Sequence, residues 1–137
     1  MLWKRNAGLE QLNQMSLDSM IDRLGIRFTA LTADTLTADM PVDNRTRQPF
    51  GLLHGGASVT LAESLGSFAS WLATEPGQSV VGTEINASHH RAVYQDTVIG
   101  CCHALHLGRS NHVWAVEIRD SKGRLCCTAR LTTAVIG

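Results

Sequence analysis

Neither sign of charge is in excess: twelve Lys and Arg balance twelve Asp and Glu over 137 residues. A neutral chain has no basic field to hold a phosphate backbone, so nucleic acid is not expected as a partner. No apolar run approaches the roughly 20 residues of a membrane span, so no membrane role is expected. The opening Met1-Leu2-Trp3-Lys4-Arg5 lacks the apolar stretch of a secretory leader, which points to a cytoplasmic protein. No Cys-x-x-Cys or Cys/His cluster has zinc spacing, so no metal is expected. The four cysteines form two adjacent pairs, Cys101-Cys102 and Cys126-Cys127. Neighbours in a strand point to opposite faces and cannot close a normal disulfide, so all four read as free thiols, buried in a reducing compartment. Repeats, low-complexity tracts and linkers are absent too. Residues 1–137 therefore read as one domain, and 44% hydrophobic residues suffice for its core.

Periodicity supplies the elements. Leu9, Leu12, Met20, Ile21 and Leu24 recur near helical spacing, predicting one or two short helices that Gly25 stops. Alternation over Ile26–Ala30 and Leu36–Met40 predicts two strands with Asp34 in the turn between them. Residues 42–54 are polar and hold a Pro/Gly pair, hence a loop. One long helix follows from Gly55 to about Thr74, with Ala57, Leu61, Leu65, Phe68 and Leu72 as its apolar stripe and Pro76-Gly77 as its stop. The remainder reads as strands over Val80–Ser88, Thr97–Leu107, His112–Arg119 and Arg124–Ile136, with a tight turn at Asp120-Ser121-Lys122-Gly123. One long helix among five or six strands with hairpin-length connections implies an α+β fold, an antiparallel sheet with one face buried on the helix.

Glu63 is the most informative residue. At about 100° per residue it lies nearly opposite the apolar stripe. Its face carries Gly56, Val59, Thr60, Gly66, Ser67 and Ser70, all small or polar, with Ser67 at i+4. A free surface usually carries Lys, Glu and Gln, so this face is expected to meet another surface or a ligand. At the helix start, His54-Gly55-Gly56 sets unpaired backbone N–H groups beside an imidazole, a place for a developing negative charge. Gly55 lets a ligand approach the backbone closely. Read alone, an exposed glutamate, a structural histidine and a plain flexible helix start remain alternatives. Gly55 and Glu63 are eight residues apart, roughly 12 Å along a helix. If both serve one carbonyl, the helix start of one chain must face Glu63 of another, which predicts a dimer with shared sites.

The run Gln48-Pro49-Phe50-Gly51-Leu52-Leu53-His54-Gly55-Gly56-Ala57-Ser58, followed by Leu61-Ala62-Glu63-Ser64-Leu65-Gly66-Ser67, resembles the hotdog-fold acyl-CoA thioesterases of the PaaI-like group. The resemblance extends to Met40-Pro41-Val42-Asp43, Val80-Val81-Gly82, Ile85-Asn86-Ala87, Leu105-His106-Leu107-Gly108-Arg109 and Leu131-Thr132-Thr133-Ala134. Asn86, His89 and Arg91 fit an Asn-x-x-His-x-Arg pattern. Within that group the chain is similar to the enzymes acting on 1,4-dihydroxy-2-naphthoyl-CoA in menaquinone synthesis and to the proofreading thioesterases of enterobactin synthesis. The resemblance implies a hotdog fold, a sheet wrapped around a central helix, in a dimer of dimers. It implies hydrolysis of acyl-CoA thioesters, aromatic ones preferred, or release of wrong acyl groups from a phosphopantetheinyl aryl carrier protein. Glu63 would be nucleophile or general base and the Gly55 N–H would polarise the carbonyl. Gln48 and His54 from the partner subunit would assist, and Ser67 would orient the water or the carboxylate. No cofactor is implied beyond coenzyme A as part of the substrate.

Basic and polar residues at strand ends are expected to meet the distal half of the ligand. These are Gly82, His89, His90 and Arg91, and the hairpin residues His106, Gly108, Arg109, Ser110 and Asn111, able to hold coenzyme A phosphates. Phe68 is expected at the edge of the acyl pocket as well as in the core stripe. His103 and His112 read as structural. Two other classes stay in view. A hotdog dehydratase usually carries a His-Phe-Pro-Gly run, which this chain lacks, and a non-catalytic acyl-ligand binder would release no thiol.

Overall fold

A computed structural model of the protein describes residues 2–137, so Met1 of the opening stretch lies outside the described residues. The first apolar spacing is split between two helices, α1 (Leu9–Met15) and α2 (Met20–Arg23). Asp18 between them has φ 59°. The break turns Met20 outward, 59% exposed, while Leu12 is fully buried. Gly25, at φ 76°, ends α2 as expected: its N–H donates to Asp22 O and that of Ile26 to Ile21 O.

Strands β1 (Arg27–Leu31) and β2 (Thr35–Pro41) form a hairpin. At its turn Thr32 Oγ1 accepts from the Asp34 and Thr35 N–H groups. After the loop come α3 (Gly55–Leu72), β3 (Ser79–His89), β4 (Thr97–Leu107), β5 (Asn111–Arg119) and β6 (Leu125–Ile136). The strands form one antiparallel sheet in the order β1-β2-β4-β5-β6-β3. The β5–β6 turn is closed by Asp120 Oδ1, which accepts from the Lys122 and Arg124 N–H groups.

Helix α3 lies against β2 through β6. Leu61, Leu65 and Leu72 are fully buried, as are Leu36, Met40, Val98, Trp114 and Ile118 of the sheet. Two glycines set how closely the layers approach. A Cβ on Gly66 would stand 2.5 Å from Leu131 Cδ2, and one on Gly100 would stand 2.7 Å from Leu65 Cδ1. Beyond the helix end, Arg5 lies 4.4 Å over the Trp71 ring and donates to the Trp71, Glu75 and Gln78 carbonyls. It ties the N-terminal segment to carbonyls around the helix C-terminus, sharing Trp71 O with Thr74 and Glu75 O with the Gln78 N–H.

Three cysteines are buried and Cys101 is half-buried; all four are free. The adjacent Cys126 and Cys127 are both buried, against simple alternation, because the β5–β6 register shifts at Ile118/Arg119. The two sheet edges differ. β1 is short and flanked by α1, whereas the 11-residue β3 has no strand on its outer side among the described residues. No helix of the described residues is long and apolar enough to cross a membrane.

Candidate active site

The loop before α3 is held at three points. Gln48 N–H donates to Leu52 O, Leu53 N–H to Val93 O, and His54 N–H to Thr46 O. This sets Gln48 and the start of α3 beside the segment that leaves β3. The Phe50 N–H donates to Gln48 Oε1, so the outer atom of that amide is its NH2 group. His90 and Arg91 N–H groups both reach Cys126 O, which hooks the segment onto β6. The result is a cleft of about 310 Å³ lined by Gln48, Gly55, Ser58, His89, His90 and Arg91, with Leu52, Leu53, Ala92, Val93 and Cys126 also on its wall. That is the lower end of the usual range for small-ligand sites.

Five of the residues singled out in the sequence therefore share one cleft. Among the described residues the Gly55 N–H donates to no protein acceptor, and it lies at the positive end of an 18-residue helix. The Arg91 side chain makes no ion pair or hydrogen bond among the described residues, while His90 Nε2 is 2.9 Å from Thr128 Oγ1. Ser58 and Cys126 were not legible as cleft residues. Burial, reinforced by Asp120, pushes the Cys126 thiol up, which keeps it protonated and unsuited to nucleophilic chemistry.

The Gly55-Gly56 pair has a different basis from conformational freedom, since neither residue has positive φ. Both positions are occupied by rings. A Cβ on Gly55 would stand 2.9 Å from His89 Nε2, and one on Gly56 would stand 2.9 Å from His54 Nδ1. His89 thus lies over the first residue of the helix. His54 caps it, its Nδ1 accepting from Gly56 N–H at 2.8 Å. His54 itself faces a neighbouring groove with Arg45, Arg47 and Thr60, not the cleft.

Glu63 is half-buried at the other end of the same helical stretch. A Cβ on Gly82 would stand 2.7 Å from its Oε2. Gly82 sits at a β-bulge, where the pairing with β6 shifts between Gly82 and Glu84 and leaves Gly82 facing the helix. The face around Glu63 meets another surface within the chain in two places. Gly66 packs on Leu131, and Ser70 is fully buried, 2.6 Å from His112 Nδ1 and 2.7 Å from Thr133 Oγ1. These small residues are small because the sheet lies on them, not because a ligand does. Ser67 is half-buried and makes no hydrogen bond to Glu63 among the described residues. Phe68 stacks edge-on with Phe28 at 5.0 Å and with Trp71 at 6.4 Å, on the side of β1.

The hairpin of His106, Gly108, Arg109, Ser110 and Asn111 does not join the cleft within one chain. Gly108 N–H donates to Asn111 O, and Ser110 O accepts from Val135, near the end of β6. His89 pairs with Cys127 at the start of that strand, so the two groups occupy opposite ends of the sheet. His112 is structural as read, 5% exposed, and His103 is exposed.

A six-stranded antiparallel sheet around one long helix, with a free amide at the helix start and a carboxylate further along it, is the hotdog architecture of thioester hydrolases. The family model described as Thioesterase superfamily matches residues 50–127, more than half of the chain, and the chain belongs to that superfamily. It is 59% identical over 137 residues to the proofreading thioesterase EntH of Cronobacter sakazakii, covering 100% of both chains. It is 58% identical to that of Klebsiella pneumoniae, again over 100% of both. Among solved structures, a thioesterase of Haemophilus influenzae matches with TM-score 0.98 and 48% identity over 100% of this chain and 96% of that one. A mutant thioesterase of Pseudomonas aeruginosa matches at 0.97 and 50% over 99% of each.

Proposed function

We propose that the protein hydrolyses wrong aryl or acyl thioesters on the phosphopantetheine arm of a carrier protein, and accepts the same thioesters on coenzyme A. The observation that carries this reading is the identity to proofreading thioesterases along the full length of both chains. Coenzyme A ends in the same pantetheine thiol, so one cleft serves both forms. The cationic Arg91 and the imidazoles of His89 and His90 suit the arm's phosphate.

The Gly55 N–H receives the carbonyl oxygen and stabilises its charge as the tetrahedral intermediate forms; losing such a donor costs about 100- to 1000-fold. Glu63 takes a proton from the attacking water, or attacks the carbonyl carbon itself to give an anhydride that water then cleaves. In either case the C–S bond breaks and the thiolate leaves. Two chains supply one site. The free edge of β3 supports this: an antiparallel pair about a twofold axis through β3 carries the Gly82 half of one strand towards the His89 half of its partner. Glu63 then approaches the partner's helix start, with Gln48 and His54 beside it. The same dyad draws the hairpin around Arg109 towards the partner's cleft. Dimers pair into a tetramer in the cytoplasm.

The test is thiol release from an aryl-loaded carrier protein, compared with the matching aryl-CoA, benzoyl-CoA and 1,4-dihydroxy-2-naphthoyl-CoA. Faster turnover of the carrier-bound thioester is expected. Preference for dihydroxynaphthoyl-CoA would move the enzyme to the aromatic acyl-CoA class, and no release from any of them would overturn the reading. Glu63→Ala should abolish turnover with the oligomer intact.

A further inference from the structure

We propose that Ser58 is a substrate-binding residue, its hydroxyl taking the pantetheine amide nearest the thioester sulfur. This deepens the thioesterase reading and rests on it. Hydroxyls inside a helix commonly return to the carbonyl four residues back. Two on α3 do so: Thr60 Oγ1 donates to Gly56 O and Ser64 Oγ to Thr60 O. Ser70 is held by His112 and Thr133. Ser58 is only 4% exposed, yet among the described residues its hydroxyl has no hydrogen-bond partner. The carbonyl four residues back from it, His54 O, takes the Ala57 and Ser58 N–H groups instead.

A buried hydroxyl left unbonded is costly, and this one belongs to the cleft wall. Other polar side chains of that wall are already engaged. Gln48 Oε1 accepts from Phe50 N–H, Cys126 Sγ donates to Arg124 O, and His90 Nε2 is 2.9 Å from Thr128 Oγ1.

Position selects the group that Ser58 meets. With the thioester carbonyl on Gly55 N–H and the phosphate by Arg91, the arm runs through the cleft that Ser58 lines. Ser58 is three residues beyond Gly55, about 4.5 Å along the axis and on the adjoining face. A short ethylene spacer separates the sulfur from the first amide of the arm, a comparable distance. Inside the cleft that amide loses water and needs a partner, and a hydroxyl serves its N–H or its carbonyl equally well. Coenzyme A and the carrier's arm share this amide, so the contact marks a thioester as one of pantetheine.

Three thioesters of one acid test the contact. Benzoyl-CoA and S-benzoyl-N-acetylcysteamine carry the amide, whereas S-pentyl thiobenzoate has methylenes in its place. The wild-type-to-Ser58→Ala ratio of kcat/KM should be about ten on the first two, the worth of one neutral hydrogen bond, and about one on the third. An equal loss on all three, or no loss on the first two, overturns the proposal.

Ser58→Ala should melt no lower than wild type, because the hydroxyl has no partner in the fold and Ala is the better helix former. A clear drop in melting temperature would make the hydroxyl structural and overturn the proposal as well. Affinity for coenzyme A, measured by calorimetry, needs no turnover and should weaken about tenfold in the variant. A wild-type protein that releases no thiol from any of the three defeats the thioesterase reading, and calorimetry still decides the role of Ser58. Unchanged affinity for coenzyme A in a protein that turns over defeats this proposal alone.

Discussion

The Glu63 carboxylate rests against the backbone of Gly82, with no room between them for a methyl group: a Cβ on Gly82 would be 2.7 Å from Oε2. A strand glycine at a bulge therefore decides where a helix carboxylate sits. Gly82→Ala should lower kcat by about 100-fold through displacement of that carboxylate. The end of a flexible side chain gives way cheaply, so the melting temperature should hardly change. Normal turnover in a well-folded Gly82→Ala protein would dissociate Glu63 from the chemistry.

The proposed sharing of each site between two chains makes a prediction that a single-chain site does not. Glu63→Ala and Gln48→Ala should each be nearly inactive as homo-oligomers. Co-expressed, they form mixed dimers in which one of the two sites holds an intact Glu63 and an intact partner Gln48. Thiol release should reappear in the mixture. If both residues served from the same chain, mixing would restore nothing.

Gly66 is a packing residue, separable from catalysis. Ala is the better helix former by up to about 1 kcal/mol, yet its Cβ would stand 2.5 Å from Leu131 Cδ2. Overpacking of a tight core costs typically about 1–3 kcal/mol, so Gly66→Ala should be net destabilised in urea titration. A variant as stable as wild type would show that Leu131 repacks freely.

Arg5 links the first residues to the end of α3 through the Trp71 ring and three carbonyls. Arg5→Ala removes the cation–π contact and the guanidinium hydrogen bonds to these carbonyls, at a cost of about 1–3 kcal/mol. A lower melting temperature with kcat retained is expected.

His112 makes stability depend on pH. Burial holds its pKa below the usual histidine value, with the charges of Lys4 and His106 acting in the same direction. The unfolded chain then binds a proton more readily than the folded one. The His112 contribution is present above the unfolded pKa, about 6.5, and is lost as the pH falls towards the folded value. His112→Gln can still bond Ser70, and its urea midpoint should fall less than that of wild type between pH 7.5 and pH 5.5. Parallel curves would remove His112 as the source.

The elements were legible because their causes are local. The stripe of Leu61, Leu65 and Leu72 needs only helical spacing, Gly25 only its left-handed backbone, and the Asp120–Gly123 turn only its own hydrogen bonds. Where the reading stopped short, a distant surface was responsible. Ser70 lies within about 20° of Glu63 around the helix axis, yet Thr133 and His112 bury it, and no helical wheel contains β5 or β6. Met20 fits an apolar spacing that Asp18 interrupts, and the outward turn follows from one backbone angle.

The sequence by itself determined the fold class, the helix with its carboxylate, and the eight-residue distance between Gly55 and Glu63 that no single chain can span with one carbonyl. Periodicity and the rise of a helix are properties of adjacent residues, so they can be read along the chain. Only the tertiary structure decided that His89 lies over Gly55, that Glu63 lies on Gly82, and that His89 and Arg109 stand at opposite ends of the sheet. Those are juxtapositions of residues far apart in the chain. They come from the order in which the strands pair, and burial of the helix on that sheet selects the order.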